Sequence, residues 1–250
     1  MGNSSVKVLV LGHKGMLGHI VYKRLREFSF NVDTINYRWP SKDFVDALKK
    51  SDANFLINCI GSIPQRNPES YEANFQLPSD LCKHYKGLII HPSSDCEKEC
   101  FTDDYSTSKR NGSNLIANHD KSFVIKSSII GPEKIHSYGL WAWLENTESD
   151  TVNGFTNHLW NGITSLEWAN ICIEKIQGRI AQNVITAGSK SLSKFELLQH
   201  LNELLNLNKI IIPVEHQAFT DRLLKVDLLR KNIRDQIKDI VDWGKDEFLS

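Results

Sequence analysis

Three residues of this 250-residue chain have the types and spacing for proton chemistry at a carbonyl group: Ser94, Tyr105 and Lys109. Tyr105 and Lys109 stand four positions apart in Asp104-Tyr-Ser-Thr-Ser-Lys109, which on a helix puts both side chains on one face. A free phenol titrates near about 10, too high to exchange protons readily at neutral pH. An ammonium beside it favours the phenolate, so Lys109 is expected to lower the titration of Tyr105 and tune it as a general acid toward a carbonyl oxygen. Ser94 follows the apolar run Gly87 to His91, at the carboxyl end of a predicted strand, where open α/β sheets hold their ligands. Its hydroxyl can hydrogen-bond the same oxygen, and the adjacent Asp95 is grouped with it on the substrate side. The plain alternative is a surface tyrosine beside a solvated lysine, because the Tyr-x-x-x-Lys spacing also arises by chance.

What makes that alternative weaker is the glycine pattern near the start, LGHKGMLGHIV. Gly12, Gly15 and Gly18 fall between an apolar strand and an amphipathic helix, the setting a dinucleotide fingerprint requires. Gly12 allows the tight turn, Gly15 lets the backbone approach a pyrophosphate at the helix N-terminus, and Gly18 lets the helix pack on the sheet. Lys14, Met16 and Leu17 complete the loop and are counted with it as cofactor contacts. An acidic residue at the end of the second strand would bind a ribose 2'-hydroxyl, and here that stretch reads Asn36-Tyr37-Arg38 instead. A guanidinium at Arg38 suits a 2'-phosphate, which selects NADPH and leaves NADH as the second choice. A solvated loop arginine is the other assignment.

These groups need a scaffold, and the chain supplies one. Val6 to Leu11, Asn31 to Asn36, Asn54 to Ile60, Gly87 to His91 and Phe123 to Ser127 read as strands. Helical stretches at Met16 to Phe28, Lys42 to Lys50, Glu69 to Lys86 and Asp104 to His119 alternate with them. The expected fold is α/β: a Rossmann-type doubly wound parallel sheet over residues 1–131, with a smaller substrate-binding lobe over 132–250 partly interlocked with it. In that lobe a loop rich in Asn and Gly runs from Asn153 to Gly162. Capping boxes at Thr164-Ser-Leu-Glu167 and Ser193-Lys-Phe-Glu196 restart helices, the second with Leu198, Leu201 and Leu205 as its buried stripe. Asn157, His158, Trp160 and Asn161 offer amides, an imidazole and an indole to a sugar or a base. Trp141, Trp143 and Trp160 can stack on rings or simply fill a core, and Lys134 and His136 can meet a diphosphate.

Composition narrows the partners. Thirty Lys and Arg balance thirty Asp and Glu, leaving no net field for nucleic acid or an anionic membrane surface. The longest apolar runs are strand-length, far short of the roughly 20 residues that span a bilayer, and the first residues lack a signal-peptide layout, so the cytoplasm is expected. Five cysteines in an odd set without a CxxC pair point to reduced thiols, and Cys96, Cys100 and His91 lack a fourth ligand for zinc.

At this point the chain resembles the extended branch of the short-chain dehydrogenase/reductase superfamily, and within it is similar to the dTDP-4-dehydrorhamnose reductases. The stretches that carry the likeness are LGHKGMLG, INCIGSIPQRNPESYEAN, PSSD, YSTSK, KSSIIGP and NHLWNGITSLEWA. The resemblance implies that Ser94, Tyr105 and Lys109 match the catalytic hydroxyl, acid and lysine, that Cys59, Ile60 and Gly61 run beside the cofactor, and that Asn74 matches a helix asparagine supporting the site. It implies NADPH-dependent reduction of a keto group on a nucleotide-activated deoxysugar, by a protein that can form a homodimer. The alternatives are a non-catalytic NADP-binding regulatory subunit and a nucleotide-sugar reductase that also epimerises. Two departures stand out: a short stretch between Ser94 and Tyr105, and Cys96 where an aromatic residue is usual. Asp95-Cys96 also replaces the Asp-Glu pair of the related dehydratases, which favours reduction over elimination.

Overall fold

In the computed structural model, which describes residues 5–66, 69–98, 100–134 and 138–245, the first strand β1 (Lys7–Leu11) is sealed on both faces, with Val8, Leu9, Val10 and Leu11 at most 2% exposed. Such a run belongs in the middle of a parallel sheet covered by helices on each side. The chain continues through α1 (Met16–Glu27), β2 (Asn31–Thr34), α2 (Lys42–Lys50), β3 (Phe55–Asn58), α3 (Glu72–His84), β4 (Leu88–Ser93), α4 (Asp104–Ala117) and β5 (Ser122–Lys126). It then adds β6 (Ile129–Ile130), α5 (Leu140–Asn146), β7 (Thr151–Phe155), β8 (His158–Trp160), β9 (Ile163–Thr164), α6 (Ser165–Ile176) and β10 (Val184–Gly188). The last elements are β11 (Leu192–Ser193), α7 (Lys194–Leu204), β12 (Ile210–Val214), β13 (Thr220–Asp221), β14 (Leu228–Leu229) and α8 (Ile233–Lys245).

The central sheet has seven strands in the order β2-β1-β3-β4-β5-β10-β14, with parallel pairing from β2 through β5 and again between β10 and β14. This is the doubly wound Rossmann-type arrangement expected from alternating strands and helices. Strand order reverses between β1 and β3, and at such a switch point the crevice outside the carboxyl ends receives ligands. Helix α1 packs through Leu17, Ile20, Val21 and Leu25, spaced at three and four residues as a helical stripe must be.

Local hydrogen bonds explain why several elements are shorter than their apolar runs. Strand β3 ends at Asn58 because its side-chain oxygen accepts the Ile60 amide at 3.0 Å, turning the chain. Helix α3 stops at His84 where Tyr85 becomes extended, its hydroxyl donating to the Ala53 carbonyl at 2.8 Å.

The chain divides into two compact units, Met1–Lys126 with Trp168–Ile185, and Ser127–Glu167 with Thr186–Ser250. The first unit thus includes most of α6 and the start of β10 in addition to residues 1–126. In the second unit the stretch from Asn153 to Gly162, expected as a loop, forms β7 and β8. Val152 and Gly154 point inward on β7, which pairs in parallel with β12, while β8 joins β11 and β13 in a separate three-stranded sheet. Gly154 is required there: a Cβ would stand 2.8 Å from the Cα of Phe195.

The two capping boxes behave differently. That of α7 forms as expected, with Ser193 and Glu196 bonding reciprocally. At α6 only half forms: Thr164 Oγ1 accepts the Glu167 amide at 3.3 Å, but the Thr164 amide goes to Gln236 and the Glu167 carboxylate pairs with Arg230. A guanidinium in reach outcompetes a neutral amide for that carboxylate. On α7 the buried stripe is Leu197, Leu198 and Leu201, with Leu205 only half-buried at the C-cap.

Candidate functional site

The glycine loop fits a pyrophosphate on its own geometry. Gly12 has φ +73°, and the Gly15 amide donates to the Gly12 carbonyl at 2.9 Å, closing the turn. A Cβ on Gly18 would lie 2.1 Å from the Gly12 oxygen, so the helix–loop contact admits only glycine. At Gly15 the same test meets only the Gly12 oxygen at 3.4 Å. Gly15 is the N-cap of α1, and the first turn, Met16-Leu17-Gly18-His19, carries no carboxylate. Free amides and the positive end of the helix dipole therefore face an open approach, the donor set an anion requires. Lys14 is exposed, Met16 half-buried, and Leu17 is packed into the core.

Cys59 and Ile60 abut this loop: a Cβ on Gly12 would come within 2.9 Å of the Cys59 carbonyl, and the Cys59 amide donates to the Leu11 oxygen at 3.0 Å. Gly61 lies against Asn74, whose carboxamide accepts the Ser62 amide at 2.8 Å and donates to Ser62 O at 3.0 Å and Ser108 Oγ at 3.1 Å. Asn74 thus ties α3 to the loop after β3 and to α4, the helix of Tyr105. Gly112 allows this crossing, since a Cβ there would meet the Asn74 carbonyl at 1.9 Å. Arg38 lies beyond the carboxyl end of β2, exposed, and its guanidinium has no hydrogen bond among the described residues.

Ser94 caps the 3-10 turn Asp95–Glu97 at the end of β4, and its hydroxyl donates to Asp95 Oδ1 at 2.9 Å. Tyr105 and Lys109 share one face of α4, which Asp103 caps by accepting the Ser106 amide at 3.0 Å. Cys96 is buried in this turn, its amide donates to Ser94 Oγ at 3.4 Å, and its thiol interacts with both the Ser94 hydroxyl and the Tyr105 phenol. Burial pushes this thiol up, against the opposing effects of Ser94 and Lys109.

The expected tuning of Tyr105 by Lys109 needs correction. Burial first, then Cys96, Asp95 and Glu97, push the Tyr105 phenol well above its ordinary value. Lys109 is directed elsewhere, its Nζ donating to the Pro92 carbonyl at 3.4 Å. Tyr105 is therefore protonated through the neutral range and holds its proton more tightly than a free phenol. Lys109 acts more visibly on buried His91, whose pKa is lowered by burial and by that ammonium while its Nδ1 faces Asn58 Nδ2 at 3.2 Å.

The residues of the second unit offered to a substrate are largely engaged in its own structure. Asn157 donates to His216 O at 2.7 Å and accepts the His216 amide at 3.0 Å. Asn161 does the same with Leu224, at 2.8 and 2.9 Å. Each amide mimics a strand neighbour for a distant backbone. Trp141 is 3% exposed and sits in the core, Trp160 donates to Ser128 Oγ at 2.7 Å, and Trp143 is 42% exposed. Of the pair assigned to a diphosphate, Lys134 is described and His136 lies outside the described residues. Truncating Asn161 to alanine leaves the half-buried Leu224 amide and carbonyl without this partner, and a loss of about 0.5–1.5 kcal/mol is expected, read as a lower urea midpoint. An unchanged midpoint would show that the clasp is dispensable.

Glu97 was not singled out from the sequence, although Ser94-Asp-Cys-Glu97 has the same Ser-x-x-Glu spacing as the boxes that were. It follows a strand and precedes no apolar run, so the usual context was missing.

The first unit is thus a Rossmann-type α/β fold with a serine, a tyrosine and a lysine at the carboxyl end of its sheet. Solved structures share this fold along nearly the whole chain. A dTDP-4-dehydrorhamnose reductase from Clostridium acetobutylicum superposes with a TM-score of 0.74 at 14% identity, covering 96% of this chain and 100% of that one. A dTDP-4-dehydrorhamnose reductase from Bacillus anthracis in complex with NADP gives 0.79 at 13% identity, covering 95% and 99%. A GDP-D-glycero-L-gluco-heptose synthase from Campylobacter jejuni, solved in the presence of NADPH, gives 0.73 at 14%, covering 97% and 99%. No family model and no curated protein sequence matches the chain. Among the described residues no helix is long and apolar enough to cross a membrane.

Proposed function

We propose that this chain is an NADPH-dependent reductase of a keto group on a nucleotide-activated deoxysugar. The observation that carries the proposal is the convergence of Ser94, Tyr105 and Lys109 at the carboxyl ends of β4 and α4's face, one strand from the β1/β3 switch point where the glycine loop lies. The structural neighbours named above are nucleotide-sugar enzymes, and two of them were solved with NADP or NADPH, which supports the choice of cofactor and substrate class. A bound nicotinamide would supply the hydride. The amides of the Gly12–Gly18 turn hold the pyrophosphate, and the Arg38 guanidinium takes the 2'-phosphate. Ser94 orients the substrate carbonyl by hydrogen bonding, and Tyr105, kept protonated by its surroundings, delivers the proton to the carbonyl oxygen. Lys109, donating to the Pro92 carbonyl, fixes the face of α4 against the end of β4.

The test is NADPH oxidation, followed by absorbance, with a panel of nucleotide-activated keto-deoxysugars. Turnover with at least one of them is expected, whereas NADPH binding without oxidation by any would replace the reductase with a regulatory nucleotide-binding subunit. In fluorescence titrations Arg38→Ala should weaken NADPH by about tenfold to a hundredfold and leave NADH unaffected, as loss of a charge-assisted bond requires. Equal wild-type affinities for the two dinucleotides would remove that role from Arg38.

A further inference from the structure

Glu97 joins three parts of the site. The residue is 6% exposed, and its carboxylate accepts three donors: Ser93 Oγ at 2.5 Å, the Ser94 amide at 3.2 Å and Ser113 Oγ at 2.7 Å. Ser93 is the last residue of β4, Ser94 is the candidate carbonyl ligand, and Ser113 lies on α4 two turns beyond Tyr105. The same helix grips the same turn a second time, because Arg110 donates to the carbonyls of Glu97 at 3.1 Å, Lys98 at 2.7 Å and Phe101 at 2.6 Å. A buried carboxylate is costly to keep unless each oxygen is well satisfied, and here both are. No other side chain among the described residues links Ser93, Ser94 and α4 in this way.

We propose that Glu97 is a positioning residue for the reaction: by fastening the Ser94 turn to α4, it sets where the Ser94 hydroxyl and the Cys96 thiol stand relative to the Tyr105 phenol. The proposal rests on the reductase assignment for its role in turnover, and on the bonds of Glu97 to Ser93, Ser94 and Ser113 for the placing of the turn against α4. Around the Tyr105 phenol the turn contributes Asp95, Cys96 and Glu97, and the N-cap of α3 contributes Tyr71, whose ring centroid is 5.5 Å away; Lys109 of α4 is turned to the Pro92 carbonyl. Of these, Cys96, Asp95 and Glu97 all favour the neutral phenol, so the anchor also supplies part of the environment that keeps the proton in place.

Two substitutions separate geometry from charge. Glu97→Gln keeps an acceptor for the Ser94 amide and Ser113, while Ser93, whose hydroxyl can also accept, pairs with the new amide. Glu97→Ala removes the anchor. With intact protein and NADPH, Glu97→Ala should lower kcat by about tenfold to a hundredfold through misplacement of the reacting groups, with the Kd for NADPH unchanged. Glu97→Gln should recover most of that kcat at neutral pH, but the alkaline limb of its pH profile should move to lower pH. Wild-type kcat and an unshifted profile in both variants would overturn the proposal. Should the alanine variant fail to fold, the glutamine profile decides. If the wild type oxidises NADPH with no substrate, the reductase assignment fails by itself, and ultraviolet titration of the Tyr105 phenolate, taken as the difference from Tyr105→Phe, decides on Glu97. Phenolate onset at lower pH in Glu97→Gln supports the proposal, and an unchanged onset refutes it.

Discussion

Replacing Tyr105 with phenylalanine should leave NADPH affinity nearly intact and lower turnover by about a hundredfold or more, the usual worth of a positioned proton donor. Phenylalanine keeps the ring that packs against Tyr71 and removes only the oxygen, so α4 and its Asp103 cap should be undisturbed. The oxygen is buried beside Cys96, Asp95 and Glu97, all of which disfavour the phenolate, so it carries its proton in the free chain and is a weaker acid there than an ordinary phenol. Because the raised value keeps the neutral form populated well past neutrality, wild-type turnover in the reductive direction should stay flat on the alkaline side until the phenol itself ionises. The residual rate of the phenylalanine variant should lose that limb. Stopped-flow or steady-state NADPH oxidation across pH measures both effects. A variant that turns over like the wild type would take the proton-donor role away from Tyr105 while leaving the dinucleotide site untouched.

The sign of that environment is where the sequence misled. The spacing of Tyr105 and Lys109 is legible because four residues along a helix bring two side chains to one face whatever the rest of the protein does. Which charges surround the phenol is a tertiary fact, and the turn Asp95–Glu97 brings carboxylates and a thiol where a lone ammonium was expected. The same division runs through the fold. Strand β1, the glycine turn and α1 are specified by neighbours within about two dozen residues, and they form nearly where their pattern places them. In the second unit the partners are remote. Asn157 and Asn161 read as free amides because the backbones they clasp, at His216 and Leu224, lie some sixty residues on. Thr164-Ser-Leu-Glu167 read as a full capping box because Arg230 and Gln236, which divert its groups, are equally far away. Strand β7 carries asparagine and glycine, poor strand formers, and is a strand because β12 pairs with it and Phe195 needs the space at Gly154.

The glycine loop allows two substitutions with opposite signatures. Gly18→Ala should destabilise the fold by about 1–3 kcal/mol, because its Cβ would meet the Gly12 oxygen at 2.1 Å and the Gly12 carbonyl carbon at 2.6 Å, backbone atoms that cannot rotate away. Relief requires α1 to lift from the turn, which strains the Gly15-to-Gly12 hydrogen bond and weakens dinucleotide binding along with stability. Gly15→Ala differs. Its φ of −81° suits alanine, and the new methyl meets only one atom, at 3.4 Å, so folding should be nearly unaffected. That methyl instead projects into the approach to the free amides of α1, and NADPH affinity should fall by about tenfold or more, at least about 1.4 kcal/mol. Urea unfolding and fluorescence titration on both variants separate the two effects. If Gly15→Ala binds NADPH as the wild type does, the pyrophosphate does not lie against that turn, and Gly12 to Gly18 is a packing device between β1 and α1 rather than a cradle.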